Sequence, residues 1–86
     1  MKKFNANDKD RAFLKVALEN AAEGKPLSVA DMRSSIRVLD RIESPDEPVL
    51  LEDADHLYLC DRLLALSFNR VDRDVLSCID RIIEAN

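Results

Sequence analysis

The sequence predicts an all-α protein: a compact four-helix bundle with a short extended arm before the third helix. Three observations carry this expectation. The composition is 47% hydrophobic and 35% charged, with one glycine and three prolines in 86 residues, which suits helices and argues against a turn-rich β fold or a disordered tail. Apolar residues recur at helical spacing in four segments separated by breakers. Five of the eight arginines directly follow an aspartate, and three of those pairs stand in one phrase: Leu39-Asp40-Arg41-Ile42, Cys60-Asp61-Arg62-Leu63 and Ile79-Asp80-Arg81-Ile82. Neighbours on a helix point about 100° apart, so the phrase turns its apolar residues to a core and its charged pair to water.

The first helix is expected from about Asp8 to Glu23, where Phe13, Leu14, Ala17, Leu18 and Ala21 share an arc of roughly 140°. Gly24 then supplies a left-handed stop and Lys25-Pro26 reinforces it. The second helix opens at Ser28, with Asp31 completing a capping box and Leu27 and Met32 at staple spacing. Its buried stripe is expected to be Val29, Met32, Ile36, Leu39 and Ile42. Ser44-Pro45-Asp46-Glu47-Pro48 ends it, and Val49-Leu50-Leu51 forms the extended arm.

The third helix begins near Glu52 or Asp53, where three acids meet the positive end of the helix dipole, and runs to about Ser67. Leu57, Leu59, Cys60, Leu63, Leu64, Leu66 and Phe68 cover most of its circumference, which places it at the centre of the bundle. The alternative leaves Leu59 and Leu66, away from Leu57 and Leu64, exposed as a partner surface. The fourth helix is capped by Asp72, with Val71 and Leu76 as a staple, and runs to about Ala85 over a stripe of Val75, Leu76, Cys78, Ile79, Ile82 and Ile83. The short link around Phe68-Asn69-Arg70-Val71 implies an antiparallel hairpin of helices three and four. The Asp-Arg phrases recur at 21 and 19 residues rather than a fixed period. They mark convergent amphipathic patterning rather than a repeat.

The chain, residues 1–86, is one helical domain that buries roughly 60–65% of its unfolded surface. Its net charge is −4, but residues 1–41 carry nine bases and six acids (+3) and residues 42–86 four bases and eleven acids (−7). An acidic total disfavours nucleic acid as a partner. The basic start lacks an apolar segment after it, and no apolar run reaches the roughly 18 residues that span a bilayer. Two cysteines without framework spacing suit a reducing compartment, so a cytoplasmic location is expected.

Catalytic hardware is sparse. His56 is the single histidine, and there is no glycine-rich elbow. His56 and Cys60 share a helical face, with Asp53 one turn back and Cys78 across the hairpin, a set from which a metal site can be drawn. Zinc sites carry tighter spacing, so two reduced core cysteines are expected, with no metal and no cofactor. The run Glu43–Asp55 holds six acids and no base, yet lacks the alternation and mid-loop glycine of a calcium loop.

Residues 49–83 run through a hook, Leu51-Glu52-Asp53-Ala54-Asp55, a leucine-rich helix, a turn with an aromatic and an amphipathic last helix. In that rhythm the segment resembles a group of small uncharacterised phage- or prophage-encoded helical proteins. The resemblance implies a bacterial or phage-infected host cell; it assigns no activity and no site residue.

The expected function is therefore a non-enzymatic protein-protein interaction module, an accessory, assembly or adaptor factor that also self-associates. Its expected partner-binding residues are Leu59, Arg62, Leu66, Asp55, Glu52, Asp53 and Glu47. One alternative is an acidic inhibitor that occupies a nucleic-acid-binding surface of a target protein. A further alternative is a small DNA-binding regulator using Arg33, Arg37 and Arg41, which recur every four residues on the second helix.

Overall fold

A computed structural model describes residues 1–21 and 24–86. Among them the order is β1 (Lys2–Phe4), α1 (Asp8–Glu19), α2 (Val29–Glu43), β2 (Val49–Leu51), α3 (Asp53–Leu64) and α4 (Arg73–Ile83). The helical expectation holds, but the molecule is not all-α. The Val49–Leu51 arm is a strand, and the N-terminus adds a second, antiparallel to it, pairing Lys2 with Leu51 and Phe4 with Val49. Burial alternates along β2, with Val49 and Leu51 inward and Leu50 outward.

Three helix starts are written locally. Asn7 accepts from the Asp10 amide at 2.8 Å while the Asp10 carboxylate accepts from the Asn7 amide at 3.2 Å. Ser28 and Asp31 make the same reciprocal pair at 3.0 and 3.1 Å. At α4, the Asp72 carboxylate accepts from the amides of Asp74 and Val75. Each arrangement satisfies amides that the first helical turn leaves without partners.

The helix ends differ from expectation. α1 stops at Glu19, with Asn20 extended, and the expected end at residues 22–23 lies outside the described residues. Gly24 does take a φ of +74°. α3 stops at Leu64 rather than Ser67, and α4 at Ile83 rather than Ala85.

The core joins Leu14 and Leu18 of α1, Val38 and Ile42 of α2, Leu59 and Leu63 of α3, and Ile79 and Ile82 of α4, closed by Phe4, Val49 and Leu51 of the sheet. Each such side chain, fully buried, contributes about 1.5–3 kcal/mol of transfer free energy. α1 and α2 are antiparallel: Arg11, near the start of α1, reaches the carbonyls of Ile42 and Ser44 at the end of α2. α3 and α4 are antiparallel too, since His56 in the first turn of α3 meets the Ile82 carbonyl near the end of α4.

Two expectations about faces are corrected. α2 buries Ser35, Val38 and Ile42, whereas Val29, Met32 and Ile36 are exposed. The reason is tertiary: Tyr58 of α3 donates to the Asp31 carbonyl at 3.0 Å and its oxygen lies 2.7 Å from the Ser35 hydroxyl, which fixes α2 with Ser35 inward. α3 packs against α1, α2 and α4, yet through one side only. Leu57 and Leu64 stay 63% and 68% exposed while Leu59 is 0% exposed. The staples of Leu27 with Met32 and Val71 with Leu76 also fail to bury, because Met32, Val71 and Leu76 are exposed.

Candidate interaction surface

The arginines of the Asp-Arg phrases set the frame. Arg62 of α3 donates to the carbonyls of Ala17 and Asn20, closing the C-terminal end of α1. Arg81 of α4 donates to the Asp10 carboxylate at 2.9 Å and to the Asn5 carbonyl at 3.0 Å. Arg41 of α2 is exposed, without an ion pair among the described residues. The same phrase thus yields two clamps and one solvated side chain. Arg11, in a fourth Asp-Arg pair, adds the Glu47 carboxylate at 2.6 Å to its carbonyl partners, tying the Ser44–Pro48 loop to α1.

These clamps decide which expected partner residues are free. Leu59 is fully buried and Leu66 packs partly against the core, so neither forms the expected exposed surface. The correction is rotational: the core side of α3 carries Asp55, Leu59 and Leu63, and the outward side carries Leu57, Asp61 and Leu64. Arg62 is committed to α1. Asp55 is buried and pairs with Arg37 of α2 at 3.2 Å. Glu47 is held by Arg11, and Asp53 lies 3.4 Å from the N-terminal ammonium. Of the acids expected to meet a partner, Glu52 alone is both exposed and without an ion pair among the described residues.

The outward face of the α3/α4 hairpin supplies a different surface. On α3, His56 meets the Ile82 carbonyl of α4, and the next exposed apolar positions around the helix are Leu57 and Leu64. On α4, Asp74, Cys78 and Arg81 turn toward α1, where Lys9 and Asp10 meet them. α3 therefore lies on the other flank, beside Ile79, with Leu76 and Ile83 at the solvent edge. The antiparallel register set by His56 and Ile82 puts Leu57 roughly level with Ile83 and Leu64 roughly level with Leu76. All four are exposed. By helical geometry they outline an apolar groove bordered by Asp61 on α3 and Asp80 on α4, with Arg73 one turn before Leu76; all three charges are exposed and without an ion pair among the described residues. Sequence periodicity contains these leucines, but assigning them to the central core concealed the groove.

His56 Nε2 lies 2.7 Å from the Ile82 carbonyl, so the protonated nitrogen donates there. Cys60 Sγ lies 3.6 Å from the same nitrogen. Burial pushes the Cys60 thiol up, with Asp61 adding to it. Burial, with Asp10 nearby, pushes Cys78 up to about 11. Cys78 thus faces α1 rather than His56 and Cys60, and among the described residues no three His, Cys, Asp or Glu side chains gather as a metal-binding group. A surface hollow of about 360 Å³ beside Asn5, Asp10, Glu47 and Arg81 has its charges neutralised by the Arg81–Asp10 and Arg11–Glu47 pairs.

Arg33, Arg37 and Arg41 form one row along α2, but Arg37 is drawn to Asp55 and to the Ser34 hydroxyl. The row is broken at its middle. Among the described residues no helix is long and apolar enough to cross a membrane. Comparison with protein families, with curated proteins and with solved structures finds no match.

Proposed function

We propose that this protein is a non-enzymatic protein-protein interaction module that docks through the groove of the α3/α4 hairpin. One observation carries the reading: Leu57, Leu64, Leu76 and Ile83 hold apolar surface in water on two adjoining helices, at a cost that only a partner recovers. Two antiparallel helices with apolar residues seven apart present a trough that suits the apolar face of a further helix. The acidic rim of Asp61 and Asp80 favours a partner helix with basic shoulders.

The reading places the protein among accessory, assembly or adaptor factors, and a phage or prophage setting in a bacterial cytoplasm accords with it. The acidic-inhibitor and DNA-binding alternatives gain less, since Glu47, Asp53, Asp55 and Arg37 spend their charge inside the molecule. The test is affinity capture from host extract with wild type and with Leu57→Glu/Leu64→Glu. Groove-dependent partners should vanish from the variant while its circular dichroism is unchanged. Identical captured sets would refute docking through this groove.

A further inference from the structure

The chain carries a second exposed apolar stripe. Val29, Met32 and Ile36 fall at i, i+3 and i+7 on α2 and are all exposed. At about 1.5 Å per residue they span roughly 10 Å of helix, the same length as Leu57 to Leu64 and Leu76 to Ile83. Arg33 lies on the shoulder of this stripe, exposed and without an ion pair among the described residues. Two acids continue this face beyond the stripe, Asp40 one turn and Glu43 two turns past Ile36, and Glu43 is paired with Lys15 of α1. The stripe turns toward the α1 side of α2, away from α3, while the groove lies on the solvent side of α3, away from α2. The two surfaces belong to different faces of one molecule; within their spans the exposed charge without an ion pair among the described residues is Arg33 beside the stripe and Asp61 and Asp80 beside the groove, while Asp40 and Arg73 stand one turn outside.

We infer that the groove of one copy receives the α2 stripe of a second copy, giving head-to-tail self-association. The inference rests on the docking function assigned to the groove and names its occupant. Val29, Met32 and Ile36 enter between Leu57/Leu64 and Leu76/Ile83, and Arg33 meets Asp61 or Asp80. A two-fold contact of groove on groove would instead bring Asp61 and Asp80 against their own copies, where like charges repel. A two-fold contact of stripe on stripe would oppose Arg33 to itself. Because the contact joins unlike surfaces, a pair of copies retains one free groove and one free stripe, and the assembly grows as a ring or an open chain.

Complementation by sedimentation velocity tests this. Wild type at low salt should gain mass with concentration through dimers and larger species, and lose it as salt screens the borders. Leu57→Glu/Leu64→Glu, with its groove spoiled, and Met32→Glu/Ile36→Glu, with its stripe spoiled, should each weaken self-association on the order of a hundredfold. Mixed, they should form a one-to-one dimer that grows no further, since one good groove and one good stripe remain. All four substituted positions are exposed, and circular dichroism checks that each variant folds. Should one fail, Asp61→Arg/Asp80→Arg and Arg33→Glu test the same pairing by charge: each weak alone, restored when combined in one chain.

A wild type that stays monomeric into the high micromolar range at low salt overturns the inference. So does a mixture of the two apolar variants that remains monomeric although wild type associates, the signature of two-fold pairing. Self-association indifferent to every variant overturns it as well. If wild type is monomeric yet loses captured partners on Leu57→Glu/Leu64→Glu, the docking function survives and only the second copy as occupant is lost.

Discussion

Arg62 and Arg41 stand in the same Asp-Arg phrase and do different work. Arg62 supplies donors to two carbonyls that the end of α1 would otherwise leave open, at the cost of one buried Nε without a partner. Arg62→Met keeps most of the stem and removes the donors; it should destabilise the fold by about 2 kcal/mol, the range for hydrogen bonds from a charged donor. Arg41→Met should stay within about 0.5 kcal/mol. Urea unfolding of the two variants checks both values. Cys78 is the second informative residue. Its thiol, raised from 9.0 to about 11, carries about a hundredfold less thiolate at neutral pH than an ordinary cysteine. Native protein should therefore react slowly with a thiol reagent and unfolded protein fast. The sign of the linkage follows: the unfolded thiol loses its proton first, so this contribution is intact below pH 9, falls as pH rises, and is gone above about 11. Cys78→Ala should flatten that alkaline slope in a stability-against-pH series.

Among the elements, legibility followed the range of the interaction that fixes each feature. The capping box at Ser28 is spelled within four residues, and the helix begins where the spelling places it. Ser28→Ala should cost about 1 kcal/mol, read by thermal unfolding. The end of α1 was not legible, because Arg62, 42 residues from Asn20, supplies the cap. The buried face of α2 was misjudged for the same reason. Hydrophobic periodicity favours Val29, Met32 and Ile36, and it has no means of seeing that Ser35 is satisfied by a tyrosine 23 residues away. β1 was missed altogether: Lys2-Lys3-Phe4 has no pattern of its own and becomes a strand by pairing with β2. Phe4 is nonetheless core, and Phe4→Ala should cost about 3–5 kcal/mol as a large-to-small change beneath the sheet. The candidate groove was half legible. Its leucines stood in the sequence, but which of two opposite faces of α3 would be buried depended on where α1, α2 and α4 settled.

At the scale of the whole molecule, the charge asymmetry is partly internal. Lys9 with Asp74, Arg11 with Glu47, Arg37 with Asp55 and Arg81 with Asp10 join the basic half to the acidic half or cross it. Most are exposed enough that each contributes little alone. Among the exposed charges without an ion pair among the described residues are Arg33 on one face and Asp61 and Asp80 on another, and on those the proposed self-association depends. Its thermodynamic signature should be a melting temperature that rises with protein concentration in wild type and not in Leu57→Glu/Leu64→Glu. A differential scanning series over concentration reads it.

The Lys3 amide donates to the Asn86 carbonyl at 3.2 Å, so residues 83 positions apart in the chain are neighbours in space. The fold is nearly a closed ring of polypeptide, and the order in which its elements are written is separable from their arrangement. A short Gly/Ser linker joining residues 86 and 1, with new ends opened at the exposed Lys25-Pro26 step between α1 and α2, should give a circular permutant with the native circular dichroism spectrum. In that permutant β1 would follow α4 directly, and the contact that now spans the entire chain would become a local turn.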